Sequence, residues 1–239
     1  MMNITSDSFS NELQQFFMDF DHKVSFKKGD FLFQEGSTST HLFFITSGAV
    51  QVGKVTPEGR ELTLQLASSG DLVGEVMLFC GSTPHMLQAK AIEPCTAISI
   101  QKRVLENELT QYPALSMEYM KWMGLQIKRM QTKFRDLILN GKKGALYSTL
   151  IRMSNSFGVM KPNGILLNVT LTNQEIANLC GTSREVVNRM LAELRKNEVI
   201  SMADGKIIIH KLSFLKEEID CEECPVELCR IEINKKSHR

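Results

Sequence analysis

Residues 171–196, LTNQEIANLCGTSREVVNRMLAELRK, contain two helix-forming segments separated by a glycine turn. Thr172 and Glu175 have the spacing of a capping box, in which the Thr caps the helix and the Glu bonds back to it. The first helix is therefore predicted from Gln174 to Leu179, before the Cys-Gly-Thr turn. Ser183 can cap a second helix from Arg184 to Lys196.

A β-hairpin is predicted directly after these helices. Val199–Ser201 and Lys206–His210 are rich in β-branched residues, and Asp204-Gly205 between them is a strong hairpin signal. Two helices around a glycine turn, followed by a hairpin, are typical of a winged helix-turn-helix. The pattern therefore predicts double-stranded DNA as a partner.

The start of the second helix would enter the major groove of DNA. The predicted DNA-binding residues lie in its cap and first turns: Ser183, Arg184, Glu185, Asn188 and Arg189. Arg can bond O6 and N7 of guanine, and Glu can accept from N4 of cytosine. An ordinary charged surface helix is the alternative, and the joint presence of cap, turn, charged face and wing favours DNA binding.

The first half of the chain has a different pattern. Between Val24 and Ile100, short β-type runs such as Leu42-Phe43-Phe44-Ile45 are separated by glycines, which predicts an antiparallel β-barrel or jelly roll. The predicted fold class is therefore α+β, with a β-roll, a long dimerisation helix and a winged helix-turn-helix. The predicted regions are 1–112 for the β-roll, 113–140 for the helix, 141–212 for the DNA-binding domain and 213–239 for a cysteine-containing segment.

After Pro113 the apolar residues follow a helical period that stops near Asn140-Gly141. They keep the 3, 4 spacing of a heptad seam: Met120, Met123, Ile127, Met130, Phe134 and Leu137. A seam this narrow favours pairing with a second copy of the helix. The alternative is an intramolecular seam packed on the barrel.

Composition excludes several function classes. The chain has 239 residues, 43% hydrophobic and 23% charged, with a net charge of +1. Apolar runs are shorter than the roughly 18–20 residues that span a bilayer, and residues 1–20 lack the pattern of a secretory signal. We expect a cytoplasmic protein without a membrane partner. We also expect no enzyme, because no catalytic Ser-His-Asp set or carboxylate pair stands out.

The cysteines form two groups. Cys80, Cys95 and Cys180 are isolated, and each is predicted to be a buried, inert thiol. The others form Cys-x2-Cys-x4-Cys within nine residues: Cys221, Cys224 and Cys229. Three thiols this close in a reducing cytosol usually bind metal. Zinc sites normally use four ligands in two pairs, so the spacing favours an iron–sulfur cluster over zinc, with redox thiols third.

Residues 182–189, TSREVVNR, resemble the recognition helix of the Crp/Fnr superfamily. The resemblance extends over the barrel, the long helix and the winged helix. It implies a homodimer on palindromic DNA with TGTGA-type half-sites, which Arg184, Glu185 and Arg189 would read, and it implies RNA polymerase as a partner.

Some barrels of this superfamily bind cyclic AMP, and Gly74-Glu75 matches their phosphate-binding cassette. The cassette also needs an Arg ten residues after the Glu, followed by Ser or Thr, to hold the cyclic phosphate. His85 and Met86 occupy those positions. We therefore expect no cyclic nucleotide and a structural role for Glu75.

The cysteine spacing is similar to that of the Bacillus-type Fnr regulators, as is the stretch GKKGALYSTL at residues 141–150. This resemblance implies a [4Fe–4S] cluster held by Cys221, Cys224 and Cys229. The fourth ligand of that branch is an Asp near the end of the dimer helix, which matches Asp136. A surface Asp paired with Arg135 or Lys133 is the alternative, and further ligand candidates are His210 and Asp220.

The implied function is an oxygen-responsive regulator of anaerobic metabolism. In that mechanism, oxidation of the cluster releases the C-terminal segment and lowers DNA affinity. A zinc-stabilised regulator that responds to an unidentified small molecule is the alternative. An enzyme of thiol–disulfide exchange is a further one, although the Cys-x2-Cys lacks the βαβ context of thioredoxin-like chemistry.

Overall fold

The computed structural model describes residues 11–75, 77–81 and 83–231. Residues 1–10, at the start of the first predicted region, and residues 232–239, at the end of the last one, lie outside the described residues. The described chain divides into two compact units. One holds Leu64–Gln126 and the described residues up to Lys54, and the other holds Val55–Thr63 and Ile127–Ile231.

The described part of the chain starts with a short helix, continues through short strands and reaches a second helix. The elements are α1 Asn11–Met18, β1 Lys23–Phe26, β2 Phe31–Phe33, β3 His41–Ser47, β4 Val50–Val55, β5 Glu61–Ala67, β6 Leu72–Val73, β7 Gln88–Ala91, β8 Cys95–Gln101 and α2 Lys102–Gln111. The remaining elements are α3 Pro113–Phe157, β9 Gly158–Lys161, β10 Gly164–Leu167, α4 Asn173–Cys180, α5 Arg184–Lys196, β11 Ile200–Ala203, β12 Lys206–Ile209 and α6 Leu212–Glu217.

The strands before α2 form two four-stranded sheets, in the orders β1-β8-β3-β6 and β2-β7-β4-β5. The alternation of side chains along β3 explains why its middle, residues 42–45, is apolar throughout. Phe43 and Ile45 join the core shared with β2, β4 and β7, whereas Leu42 and Phe44 face a second core. A strand covered on both faces needs no polar side. This arrangement confirms the predicted antiparallel β-roll.

Helices cover the second face of β3 and β8. Leu13 and Phe17 of α1 are fully buried there, and the Phe17 ring stacks on Phe44 with centroids 5.4 Å apart. Leu105 of α2 and Tyr119 near the start of α3 belong to the same core.

Helix α3 consists of two helical segments joined at Gly141, whose φ of 58° and ψ of −148° are not helical. The break confirms the stop predicted near Asn140-Gly141. In the first segment, the six seam residues named above are between 40% and 65% exposed. The choice between pairing with a second copy and an intramolecular seam stays a prediction.

The winged helix-turn-helix is also confirmed. Helices α4 and α5 are followed by β11 and β12. These two strands form a four-stranded sheet with β9 and β10, in the order β11-β12-β10-β9. Asp204 and Gly205 both have positive φ, 50° and 75°, which is the backbone of the primed turn that an Asp-Gly hairpin favours. Among the described residues, no helix is long and apolar enough to cross a membrane.

Candidate functional site

Helix α5 has one buried face and one exposed charged face. Val187, Leu191 and Leu194 are buried at helical spacing. The five residues predicted to bind DNA are all exposed at the cap and first turns: Ser183, Arg184, Glu185, Asn188 and Arg189. An apolar stripe packed on the domain therefore leaves the charged side chains free to reach an external partner.

Local hydrogen bonds fix where α4 and α5 begin. The Thr172 side chain accepts from the amide of Glu175, and the Glu175 side chain accepts from the Thr172 amide, so the predicted capping box is confirmed. The Ser183 side chain accepts from the amide of Val186, which confirms the second cap. Gly181 ends α4 with a left-handed φ of 61°, which glycine adopts without a Cβ clash.

The first turn of α5 carries a stabilised negative charge. A hydrogen bond to the backbone amide of Glu185 and another from the Ser183 side chain hold the pKa of Glu185 below its usual range. Asn188 Oδ1 accepts from Nδ2 of Asn173, which joins the two helices at their exposed edge. The element thus presents two arginines, an ionised carboxylate and an oriented amide together.

The cysteine-containing segment follows α6 and lies half-buried. We call residues 220–231 the tail. Burial raises the pKa of the Cys229 thiol, Arg152 lowers it, and Cys221, Cys224 and Asp136 raise it. The three predicted thiol ligands and the predicted carboxylate therefore lie close enough for their charges to interact.

Asp136 is buried, with 3% of its surface exposed. Its Oδ2 lies 2.9 Å from Nη2 of Arg152, and its Oδ1 lies 2.8 Å from Nη2 of Arg135. The pairing with Arg135 named in the surface alternative is present, but the surface position is wrong. Two guanidinium groups bond to this carboxylate and hold it in place, and Arg152 also bonds to the tail. The role of Asp136 as a ligand stays a prediction.

Two arginines of α3 bond to the main chain of the tail. Arg129 Nε donates to the carbonyl of Glu227 at 2.7 Å. Arg152 Nη1 donates to the carbonyl of Leu228 at 3.0 Å, while its Nη2 bonds to Asp136. Arg152 therefore connects the buried carboxylate to the tail.

Two smaller side chains continue this contact. Asn155 Nδ2 donates to the carbonyl of Cys229 at 2.8 Å, and Ser156 Oγ accepts from the amide of Ile231 at 2.9 Å. We call the four α3 side chains that bond to the tail backbone the tail anchor: Arg129, Arg152, Asn155 and Ser156.

Sequence reasoning missed the tail anchor. The sequence did contain a signal, because the polar residues Ser148, Arg152 and Ser156 recur every four positions among apolar residues of this helical segment. In the structure all three are buried. Such a polar stripe on a buried helix face indicates hydrogen-bonded partners. It does not indicate which segment supplies them.

The donor set suits a metal or an iron–sulfur cluster chemically, although in the described residues no three His, Cys, Asp or Glu side chains are grouped to hold a metal ion. Ligation therefore requires the thiols to approach one another and Asp136 to leave a guanidinium. Arg152 Nε is buried without a hydrogen-bond acceptor among the described residues, beside thiols whose charge it influences. An anionic group at the thiols would compensate it.

The surroundings of this site are cationic. Burial and, to a smaller extent, the nearby charges of Arg152 and Arg129 lower the pKa of Lys133 to about 8. Of the further ligand candidates, His210 bonds through Nε2 to Ser201 Oγ at 2.8 Å within the winged sheet. Asp220 has a left-handed φ of 46° next to Cys221.

In the β-roll, Glu75 has structural contacts. Its Oε2 accepts from the amide of Leu87 at 2.7 Å, and its carbonyl accepts from Ser39 Oγ at 2.6 Å. The His85 ring is buried, stacks on Phe33 at 3.9 Å, and has its pKa lowered by that burial. These contacts give Glu75 and His85 structural roles in the β-roll. The absence of cyclic-nucleotide binding stays a prediction.

The isolated cysteines divide differently from the prediction. Cys95 and Cys180 are buried, and burial raises the pKa of each thiol to about 11, as expected for inert thiols. The prediction for Cys80 is wrong, because this residue is exposed. It follows Phe79, which has a φ of 60° in a surface turn and is itself 66% exposed, so the apolar local sequence does not mark a core position.

Two family models match the chain. A cyclic nucleotide-binding domain matches residues 23–112, and a Crp-like helix-turn-helix domain matches residues 145–218. Together they cover the β-roll and the DNA-reading element.

Relatives match over most of their length. The chain is 47% identical to an anaerobic regulatory protein of Bacillus subtilis over 228 residues, which is 95% of this chain and 96% of that protein. It is 28% identical to a CRP-like cAMP-activated global transcriptional regulator of Mycobacterium tuberculosis, over 78% of this chain and 83% of that one. A mutant of CooA from Carboxydothermus hydrogenoformans has the same fold, with a TM-score of 0.70 at 23% identity, over 85% of this chain and 89% of that one. With this fold, this reading helix and these relatives, the chain belongs to the Crp/Fnr family of transcription regulators.

Proposed function

We propose that this regulator responds to oxygen through a [4Fe–4S] cluster held by Cys221, Cys224, Cys229 and Asp136. The observation that carries the proposal is that the tail, which contains the three thiols, is hydrogen-bonded to α3 beside the buried carboxylate of Asp136, which Arg152 and Arg135 contact. The relative from Bacillus subtilis is an anaerobic regulatory protein, which supports the same function.

Basic residues of this chain can compensate the charge of an anionic group bound at this site. Three thiolates and a carboxylate would place several negative charges together, which is unfavourable in a partly buried location without compensation. Arg152 interacts with Asp136 and with the charge of Cys229, and Arg135 interacts with Asp136 and with the charge of Cys224. Both guanidinium groups can offset the negative charge, and Arg135 can hold Asp136 while the carboxylate leaves Arg152. When bound, the cluster would supply an oxygen-labile covalent connection between the tail and α3.

The DNA interface would be formed by the exposed face of α5. In this proposal Arg184 and Arg189 bond to guanine and Glu185 accepts from cytosine, on a palindrome with TGTGA-type half-sites. Ser183 and Asn188 would contact the edge of the same groove. Each half-site needs one copy of α5, so a second chain is required.

The second chain would pair through the exposed seam of α3. Its six residues form an unburied apolar stripe at heptad spacing, which a second copy of the same helix can cover. A symmetric homodimer would present two reading helices to two half-sites about one helical turn apart. We place this dimer in the cytoplasm, with RNA polymerase as its further partner.

The deciding experiment is anaerobic purification of the full chain, followed by a visible spectrum and iron and sulfide analysis before and after air. We expect a brown protein whose visible absorption bleaches in air, with iron and acid-labile sulfide in equal amounts. Cys224→Ser should abolish the colour, and Cys80→Ser is the matched control because Cys80 lies far from the tail in sequence and is exposed. A colourless protein with tightly bound zinc would overturn oxygen sensing and leave DNA binding standing.

A further inference from the structure

The tail anchor holds the tail through backbone atoms alone. Its hydrogen bonds end on the carbonyls of residues 227, 228 and 229 and on the amide of Ile231, and none of them ends on sulfur. Ile231 is buried at the end of this segment. These contacts therefore do not depend on whether the thiols are protonated, oxidised or bound to metal.

We propose that the tail anchor keeps residues 227–231 docked on α3 with or without metal, and so presents Cys229 beside Asp136 as a preformed half of the binding site. Arg152 is the central positioning residue, because one guanidinium bonds to both the Leu228 carbonyl and the Asp136 carboxylate. The inference rests on the proposed function only for the identity of the group that the thiols bind.

The other half of the tail has different constraints. Asp220 directly precedes Cys221, and Glu223 directly precedes Cys224. Both have left-handed φ values, 46° and 51°, that non-glycine residues rarely adopt. Glu222 and Glu223 are exposed. The loop with Cys221 and Cys224 is therefore the part of the tail whose conformation metal binding would change.

This division changes the expected response to oxygen. Instead of releasing the whole tail, loss of the cluster would free the loop that holds Cys221 and Cys224, while Cys229 stays docked. A site that is already half formed also binds metal more tightly. The apparent dissociation constant equals the intrinsic one divided by the fraction of chains in the competent state.

Amide hydrogen exchange of the full-length chain tests docking without metal, in the presence of a chelator and a reductant. We expect the amides of Cys229 and Ile231 to exchange at least about tenfold more slowly than in an unstructured peptide, because both are hydrogen-bonded. Asn155→Ala and Ser156→Ala each remove one bond and should speed exchange in residues 227–231 by roughly fivefold.

Ser154→Ala is the matched control, because Ser154 Oγ bonds to the carbonyl of Ile151 in its own helix. It should leave tail exchange unchanged. Exchange of residues 227–231 at the unstructured rate in the wild-type chain without metal would overturn the proposal.

Cobalt(II) titration supplies a second readout, followed by the thiolate-to-cobalt charge-transfer band. If residues 227–231 are already docked without metal, the docked fraction is close to one. A fivefold weaker docking then lowers that fraction only slightly, so Asn155→Ala should weaken cobalt binding by less than about twofold. A loss of cobalt affinity of about fivefold, equal to the change in exchange rate, would mean that the tail docks only when metal binds and would overturn the preformed site. Isolation of a zinc protein would instead overturn the proposed function, and the exchange result would still stand.

Discussion

Helix α5 and the helical segment around Asp136 use charge in opposite ways. On α5, Arg184, Glu185 and Arg189 are exposed at the start of the helix. In α3, Asp136 and Arg152 are each 3% exposed and are bonded to each other. The exposed charges on α5 are available to an external partner, whereas the buried pair in α3 stabilises the fold.

The difference predicts which property each substitution changes. Exposed charges contribute little to folding, because solvent screens them and their side chains lose entropy when they pair. Removing one member of a buried pair is costly, because the other charge is left without compensation. Substitutions of the exposed charges on α5 should therefore affect DNA binding with little change in stability, and substitutions at the buried pair should affect stability first.

The largest effect is expected for Asp136→Ala. This change removes the carboxylate that pairs with the buried guanidinium of Arg152. The free energy of unfolding should therefore fall by about 3 kcal/mol. Urea denaturation of the chelator-treated protein measures it. Glu222→Ala removes the exposed partner of the same Arg135 and should cost less than about 1 kcal/mol. Equal losses in the two variants would contradict the distinction between buried and exposed charge.

Arg184→Ala should weaken binding to the specific operator by about 1–3 kcal/mol and relax selectivity at one guanine. Because the side chain is exposed, stability should change by less than about 0.5 kcal/mol. Binding to operators with each base at that position measures selectivity. Lys196→Ala, at the exposed far end of α5, is the control. The same loss of affinity on every sequence would remove Arg184 from base recognition.

The smallest effect is a pH dependence at Lys133. Burial lowers its folded-state pKa to about 8, so the unfolded chain binds more protons between about pH 8 and pH 10, and this residue makes stability rise with pH there. Lys133→Met should therefore be more stable than the wild type at neutral pH, and the advantage should shrink by about 1 kcal/mol from pH 7 to pH 9. Urea denaturation at both pH values measures it. A constant difference, like that expected for the exposed Lys128→Met, would place Lys133 in solvent.

The same contrast explains which features were predictable. The bounds of α5 and both caps follow from residues that bond across three positions, such as Ser183 to Val186. The β-roll, the break at Gly141 and the hairpin at Asp204-Gly205 likewise follow from short patterns. These features depend on local geometry, which the residue types specify almost alone.

The tail contacts are of another kind. The anchor bonds join residues 74 to 98 positions apart, and no local rule links Asn155 to Cys229 or Arg129 to Glu227. Asp136 became a candidate only through family resemblance, since its own neighbours also suit a surface ion pair. Cys80 shows the reverse error, because an apolar neighbourhood in sequence lies in a surface turn.

The spacing of these contacts also determines the order in which the site assembles during synthesis. Arg152 and Asp136 are 16 positions apart, so their bond can form soon after α3 is made. At about 5–20 residues per second, the tail follows its α3 partners by roughly 5–20 s. During that interval Arg152 already compensates the buried carboxylate. We therefore expect the helical half of the site to be complete before the first cysteine of the tail is translated, so that metal loading is a late step in maturation.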